Sequence, residues 1–79
     1  MMTLEELRSL YRANLLVEAI AEPFDDQGDW MIEFRHVQGG FVILTHSSGE
    51  ACHYSDLHYA SQSAVQVGFK QIRVESVLN

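Results

Sequence analysis

Five side chains of this sequence have the chemistry to bind a metal ion or to act in catalysis: His36, His46, Cys52, His53 and His58. A zinc site gathers several such ligands around one point, and motifs such as CxxC or HExxH usually supply them. The chain contains neither motif. Cys52 and His53 are neighbours in a predicted strand, so their side chains point to opposite faces. The sequence therefore predicts no metal site and no cofactor.

Cys52 is also the strongest candidate nucleophile, because His53 and His58 follow it closely. Nucleophilic catalysis needs a base beside the nucleophile and an acid that orients the base. The chain has no nucleophile elbow, phosphate loop or dinucleotide fingerprint, and 79 residues leave little room for a deep pocket. We therefore expect a non-enzymatic protein and keep a small Cys52-dependent enzyme as a third hypothesis.

The segment 25–29 contains three aspartates and resembles the beginning of a calcium-binding loop. Asp25, Gln27 and Asp29 would occupy its first, third and fifth positions. However, Gly28 falls at the fourth position where such a loop has its glycine at the sixth, and His36 stands where the final glutamate belongs. The segment is therefore predicted to be a solvated turn.

The net charge of −6 is concentrated in one part of the chain. Six acidic residues fall within residues 18–33, which contain no Lys or Arg: Glu18, Glu22, Asp25, Asp26, Asp29 and Glu33. A protein that binds the nucleic-acid backbone needs clustered cations, so this class of function is disfavoured. The alternative is an accessory protein that stacks single-stranded bases on sheet aromatics, with Trp30, Phe34, Phe41 and Tyr54 as candidates.

The elements that position these residues form one α+β domain over residues 1–79, in the order α-β-β-β-β-α-β. A capping box, Thr3 with Glu6, begins the first helix, which Asn14 ends. Ser55 is the predicted N-cap of the second helix and Gly68 its C-cap. Strands are predicted at 15–21, in two parts of 30–45, at 51–54 and at 71–77. We expect an antiparallel meander in which the last strand pairs antiparallel with the first.

The segment 30–45 contains the densest apolar content of the chain. Its first strand alternates apolar and polar residues, whereas residues 41–44 are apolar without interruption and are predicted to be covered on both faces. Either the two helices lie on opposite faces of the sheet, or one face is left for a partner. In the second case Met31, Val42 and Leu44 would form the exposed patch that binds another protein or a second copy of this chain.

Composition limits where the protein acts. Hydrophobic residues make up 47% of the chain and charged residues 20%, which is ordinary for a globular protein. No apolar run is long enough for a membrane span, and the chain begins without the pattern of a signal peptide. A single cysteine excludes an internal disulfide and agrees with a reducing compartment. We expect a cytoplasmic protein.

Several short motifs resemble a set of small bacterial proteins encoded on plasmids and integrated elements, some of them labelled as replication- or partition-associated. The motifs are Ala21-Glu22-Pro23-Phe24 before an acidic glycine turn, Trp30 with Glu33-Phe34-Arg35, Gly68-Phe69, and Ile72-Arg73-Val74. The resemblance implies a role in the maintenance of a mobile element. It implies no catalytic residue, so we expect a protein–protein interaction domain.

Overall fold

A computed structural model describes residues 2–75. Its elements, in chain order, are α1 (Leu4–Arg12), β1 (Leu16–Pro23), β2 (Trp30–His36), β3 (Phe41–Ile43), α2 (Leu57–Val67) and β4 (Arg73–Val74). The protein therefore has the predicted α+β fold, with two helices and a four-stranded sheet. The segment 51–54 forms only single bridges, from Ala51 to Thr45 and from Tyr54 to Trp30, instead of the predicted strand. Residues 76 and 77 of the predicted last strand lie outside the described residues.

The strands are arranged in the order β3-β2-β1-β4. The pairs β1–β2 and β2–β3 are antiparallel, but β4 is parallel to β1. The predicted position of the last strand beside the first is thus right and its predicted direction is wrong. The prediction assumed that 51–54 is one straight strand beside β3, whereas its two antiparallel bridges join it to Thr45 after β3 and to Trp30 of β2.

Local signals explain where both helices begin and end. The α1 capping box is present: the Thr3 amide donates to Glu6 Oε1 at 2.8 Å, and the Glu6 amide donates to Thr3 Oγ1 at 3.4 Å. The N-cap of α2 is Asp56, whose carboxylate accepts from the His58 amide at 2.6 Å, and not the predicted Ser55. Gly68 ends α2 with φ 140°, and a Cβ there would approach the Tyr11 ring to 2.5 Å. A larger residue at this position would therefore both strain the backbone and push α1 away.

Both helices lie on the same face of the sheet. The core between helices and sheet contains Leu7 of α1, Ala60 and Ala64 of α2, and Ile32 and Phe34 of β2, all of them almost fully buried. Alanine on α2 lets the helix approach the strands closely. Neither helix is long and apolar enough to cross a membrane.

The loop that leaves α2 joins the two layers through aromatic contacts. Phe69 packs with its ring centroid 4.8 Å from that of Tyr11 and 5.7 Å from that of Phe34. Aromatic pairs at these separations contribute beyond the area they bury. The loop is thereby fixed in place before the chain enters β4.

No described helix covers the opposite face of the sheet, so residues 41–44 are not covered on both faces as predicted. Phe41 is 53% exposed, Val42 and Ile43 are half-buried, and only Leu44 is buried. Of the two arrangements that the sequence left open, the structure has the one in which a face of the sheet is uncovered. We call it the open face.

Candidate functional site: the open face of the sheet

The open face is formed by the side chains that alternate with the core residues along each strand. Strand register arranges them in rows across the sheet, where Arg35 lies opposite Phe41 and Glu18, and Glu33 lies opposite Ile43 and Ile20. Arg73 lies beside Ile20 on the other side. The members of the open face are Glu18, Ile20, Glu22, Met31, Glu33, Arg35, Phe41, Ile43, Arg73 and Glu75.

A bulge in β1 places Glu18 on this face. The register shifts between Leu16 and Glu18, with Val17 as the additional residue. Without the bulge, Leu16 and Glu18 would point to the same side, because they are two residues apart in a strand. The bulge lets Leu16 enter the core while Glu18 stays outside.

One end of the open face is an ion-paired cluster, which we call the paired end. Arg35 Nε lies 3.0 Å from Glu18 Oε2, and Arg73 Nη2 lies 3.1 Å from the same oxygen. Arg73 Nη1 also contacts Glu75 Oε2 at 2.5 Å. Hydrogen bonds from Arg73, and then from Arg35, lower the pKa of Glu18, and the contacts with Glu18 and Glu75 raise the pKa of Arg73. The charges at this end are therefore matched within the protein.

The other end, which we call the carboxylate end, has no such match. Glu22 lies opposite Met31, which places it diagonally across from Glu33 on the same face. Burial, then hydrogen bonding with Glu22, and then the charges of Glu22 and Glu75 raise the pKa of Glu33 to about 7. Within residues 2–75, no Lys or Arg forms an ion pair with Glu22 or Glu33. This end continues into the acidic turn between β1 and β2.

Ile20 lies between the two ends and is only 1% exposed, although it does not belong to the continuous core beneath the helices. Its neighbours across the sheet are Glu33 on β2 and Arg73 on β4. An apolar side chain in this position excludes water beside the Glu33 carboxylate, which disfavours the charged form.

The acidic turn uses two of its carboxylates internally. Asp25 Oδ1 accepts from the amides of Gln27 at 2.9 Å and Asp29 at 3.3 Å. Asp29 Oδ2 lies 2.7 Å from His53 Nδ1, and the ring of Phe24 stacks on the His53 ring with centroids 4.3 Å apart. The predicted solvated turn is therefore held to the segment 51–54. No group of three or more metal-binding side chains is found in the part of the chain that the structure describes.

The candidate catalytic residues do not come together. Cys52 is buried, and burial raises the pKa of its thiol, which opposes formation of the reactive thiolate. The His53 side chain is engaged by Asp29, and His58 lies in the first turn of α2. Among the hydrogen bonds of the described residues, none joins Cys52 to a histidine.

The predicted partner patch of Met31, Val42 and Leu44 is divided between the two faces of the sheet. Met31 is on the open face opposite Glu22, whereas Val42 pairs with Phe34 on the helix side and Leu44 is buried at 5% exposure. The three residues therefore do not form one exposed surface. The spacing within 30–45 could not show this, because the register across the Gly39-Gly40 turn decides which face each residue joins.

The aromatics proposed for base stacking are also separated. Phe34 is fully buried, and Trp30 and Tyr54 pack against the core, with the Tyr54 hydroxyl 2.6 Å from Ser63 Oγ. Only Phe41 is exposed on the open face.

Sequence reasoning missed the proximity of Glu22 to Glu33 and the cluster around Glu18. A signal existed: the two glutamates of β1, Glu18 and Glu22, are four residues apart, as residues on one face of a strand are. No protein-family model, curated protein or solved structure matches the chain.

Proposed function

We propose that this protein is a non-enzymatic interaction domain that binds a basic segment of a partner protein at the carboxylate end of the open face. The observation that carries the proposal is the contrast within one face: Glu18 forms ion pairs with Arg35 and Arg73, whereas no described Lys or Arg forms an ion pair with Glu22 or Glu33. The setting implied by the resemblance, maintenance of a mobile element, remains part of the proposal.

Electrostatics favours a cationic ligand at this end. Neighbouring carboxylates repel each other when both are ionised, and a cation relieves the repulsion as a proton does. A Lys or Arg side chain that lies beside Glu22 and Glu33 would relieve it in this way. The neighbouring acidic turn, with Asp26 exposed beside it, adds a field that attracts positive charge before contact.

The same field disfavours the alternative ligand, a nucleic-acid backbone. Phosphates approaching the open face would meet Glu22, Glu33 and Glu75, and the two arginines nearest to them are already engaged by Glu18. Phe41 is the single exposed aromatic among the four that were candidates for base stacking. Base stacking usually uses several such side chains.

The experiment is a titration of the labelled protein with a short Lys- and Arg-rich peptide, followed by NMR. We expect the largest shifts at Glu22, Glu33 and the adjacent turn, and weaker binding as salt is added. Replacing both carboxylates, Glu22→Gln with Glu33→Gln, should lower the affinity on the order of tenfold, since about 1.4 kcal/mol corresponds to that factor.

The matched control changes the net charge equally, at two exposed acids away from the open face, Glu5→Gln with Glu50→Gln. The control should bind nearly as well as the wild type. An equal loss in both double variants would reduce the interaction to net charge and contradict the proposed site. A single-stranded oligonucleotide that binds where the peptide does not would support the alternative function instead.

A further inference from the structure

The second helix differs from the rest of the chain in its charge. The eleven residues of α2, LHYASQSAVQV, contain no Asp, Glu, Lys or Arg, whereas 20% of the whole chain is charged. A solvent-facing helix usually carries charged residues on its outer face. The cores of protein–protein interfaces, in contrast, are depleted of charge and enriched in tyrosine.

The exposed residues of α2 form one continuous face. They recur at spacings of three and four, around Gln62 as the central position: His58, Tyr59, Gln62, Val65 and Gln66. The opposite side of the helix is buried against the sheet. Tyr59 at 63% and Val65 at 56% are the two most exposed large hydrophobic residues among those that the structure describes.

A hollow of about 320 Å³ lies beside the last turn of α2. It is lined by Arg8, Tyr11 and Arg12 of α1 and by the α2 segment 65–68. Neither arginine forms an ion pair with another described residue. A lining that combines tyrosine and valine side chains with two arginines suits an aromatic ring, because a cation is attracted to the face of the ring.

We propose that two copies of this protein form a two-fold symmetric dimer through the exposed face of α2, with Tyr59 of each copy seated in the hollow of the other. Tyr59 lies three residues before Gln62, and Val65 and Gln66 lie three and four residues after it. When two α2 helices pack antiparallel with Gln62 at the axis, each tyrosine therefore meets the opposite hollow. A surface that carries both the protruding group and the matching hollow is self-complementary, as a two-fold interface requires.

Of the surfaces through which two copies could meet, the uncharged face of α2 is the one with the least charge repulsion. Two molecules of net charge −6 repel, and most strongly where their acidic surfaces meet. Because α2 packs on the face of the sheet opposite to the carboxylate end, a dimer through α2 holds the two acidic surfaces on its outer sides. The shortest extent of the protein is 21 Å, more than twice a Debye length of about 8 Å at physiological salt, so the two surfaces are screened from each other.

Sedimentation across a series from micromolar to millimolar protein tests the dimer. We expect reversible dimerisation of the wild type, and a dissociation constant raised at least about tenfold by Tyr59→Ala and by Val65→Glu, as for central interface residues. The matched control is Phe41→Glu, which adds the same charge at a similarly exposed apolar residue on the open face. Circular dichroism should show that all variants are folded. A wild type that stays monomeric over the series, or a dimer weakened equally by Phe41→Glu, overturns the proposal.

A cross-linking experiment tests the symmetry. Gln62→Cys, in a Cys52→Ser background, should form a disulfide-linked dimer on mild oxidation, because a residue at the axis meets its own copy. Val37→Cys, exposed in the β2–β3 turn, is the control and should form far less. Equal cross-linking of both variants rejects the α2 interface. The dimer variants leave Glu22 and Glu33 unchanged, so loss of the dimer and loss of peptide binding are separate outcomes.

Discussion

The two ends of the open face carry the same chemical group in opposite states. Glu18 and Glu33 are both half-buried glutamates on neighbouring strands, yet the pKa of Glu18 is lowered and that of Glu33 is raised to about 7. The difference comes from what lies across the sheet. Glu18 is opposite Arg35, whereas Glu33 is opposite Ile20 and diagonal to Glu22. Cross-strand register, and not residue type, therefore sets the charge of each end.

The comparison also separates stability from binding. At the paired end the charged form of the glutamate is stabilised by protein donors, so no ligand is needed there. At the carboxylate end the charged form of Glu33 is disfavoured, and an external cation would stabilise it. The surface with the least internal compensation is thus the one best suited to a partner.

The largest effect is expected from removing the apolar residue between the two ends. Ile20→Ala should lower the free energy of unfolding by about 3 kcal/mol, because the side chain is buried and the cavity remains. It should also lower the pKa of Glu33, since water would reach the carboxylate. Denaturant unfolding and NMR titration measure the two effects. The control is Ile43→Ala, in the same row but half-buried, which should lower the free energy of unfolding by less. An equal loss in both variants would show that Ile20 contributes no more to stability than a half-buried neighbour.

Glu33→Gln should stabilise the protein, but only where the wild-type carboxylate is ionised. A raised pKa means that protonated Glu33 favours folding, fully below its ordinary value of 4.5, and that this contribution is lost as the pH rises through about 7. The substituted side chain in Glu33→Gln stays neutral, so the variant keeps this stabilising contribution at high pH. We expect a gain of about 1 kcal/mol above neutral pH, reduced by solvent screening at this partly exposed site, and none at acidic pH.

Thermal unfolding across the pH range checks this prediction. Glu50→Gln, in an exposed turn, serves as the control and should leave the pH profile unchanged. A gain for Glu33→Gln that is the same at every pH would mean that the ionisation of the partly buried Glu33 carboxylate is not its source.

Glu18→Gln should have the opposite sign. The lowered pKa of Glu18 means that its ionised form favours folding above the ordinary value of 4.5, and that this contribution disappears as the pH falls below it. The variant should therefore be less stable than the wild type at neutral pH and equal to it in acid. The same unfolding experiment measures this loss. A loss of stability at both neutral and acidic pH would indicate a packing role for Glu18 instead of an electrostatic one.

The smallest expected effect is the difference between Arg73 and Arg35 in how far each lowers the pKa of Glu18. Arg73 makes two hydrogen bonds with Glu18, from Nε at 3.3 Å and Nη2 at 3.1 Å, whereas Arg35 makes one at 3.0 Å. Arg73→Met should therefore raise the pKa of Glu18 more than Arg35→Met does, as measured by NMR of the side-chain carboxyl carbon. A larger rise in the Arg35→Met variant would show that Arg35, on the antiparallel strand, has the greater effect on the pKa of Glu18.

Much of the fold could be predicted from short-range signals. The capping box at Thr3, the glycine at 68 and the alternation of β2 all act within a few residues of chain, so the sequence locates both helices and the central strands. The direction of β4 could not be predicted in this way. It depends on the path of the segment 51–54. Single bridges to Thr45 and Trp30, which are distant in sequence from each other, set that path.

Less of the candidate site than of the fold could be predicted from the sequence. Acidic residues in 18–33 indicated a charged region, but the sequence could not show that Glu18 is paired across the sheet and Glu33 is not. The bulge at Val17 changes the face to which Leu16 points, and Arg73 reaches Glu18 from a strand 55 residues away along the chain. Both facts depend on register between distant segments.

The sequence by itself determined the approximate positions of the two helices, the α+β class and the excess of acid, because capping, periodicity and composition are properties of neighbouring residues. Only the tertiary structure decided which face of the sheet stays open and which carboxylates have cations opposite them. The physical reason is that a carboxylate responds to whatever lies within a few ångströms. Strand pairing brings residues from distant parts of the chain to that distance, and no local pattern specifies which ones.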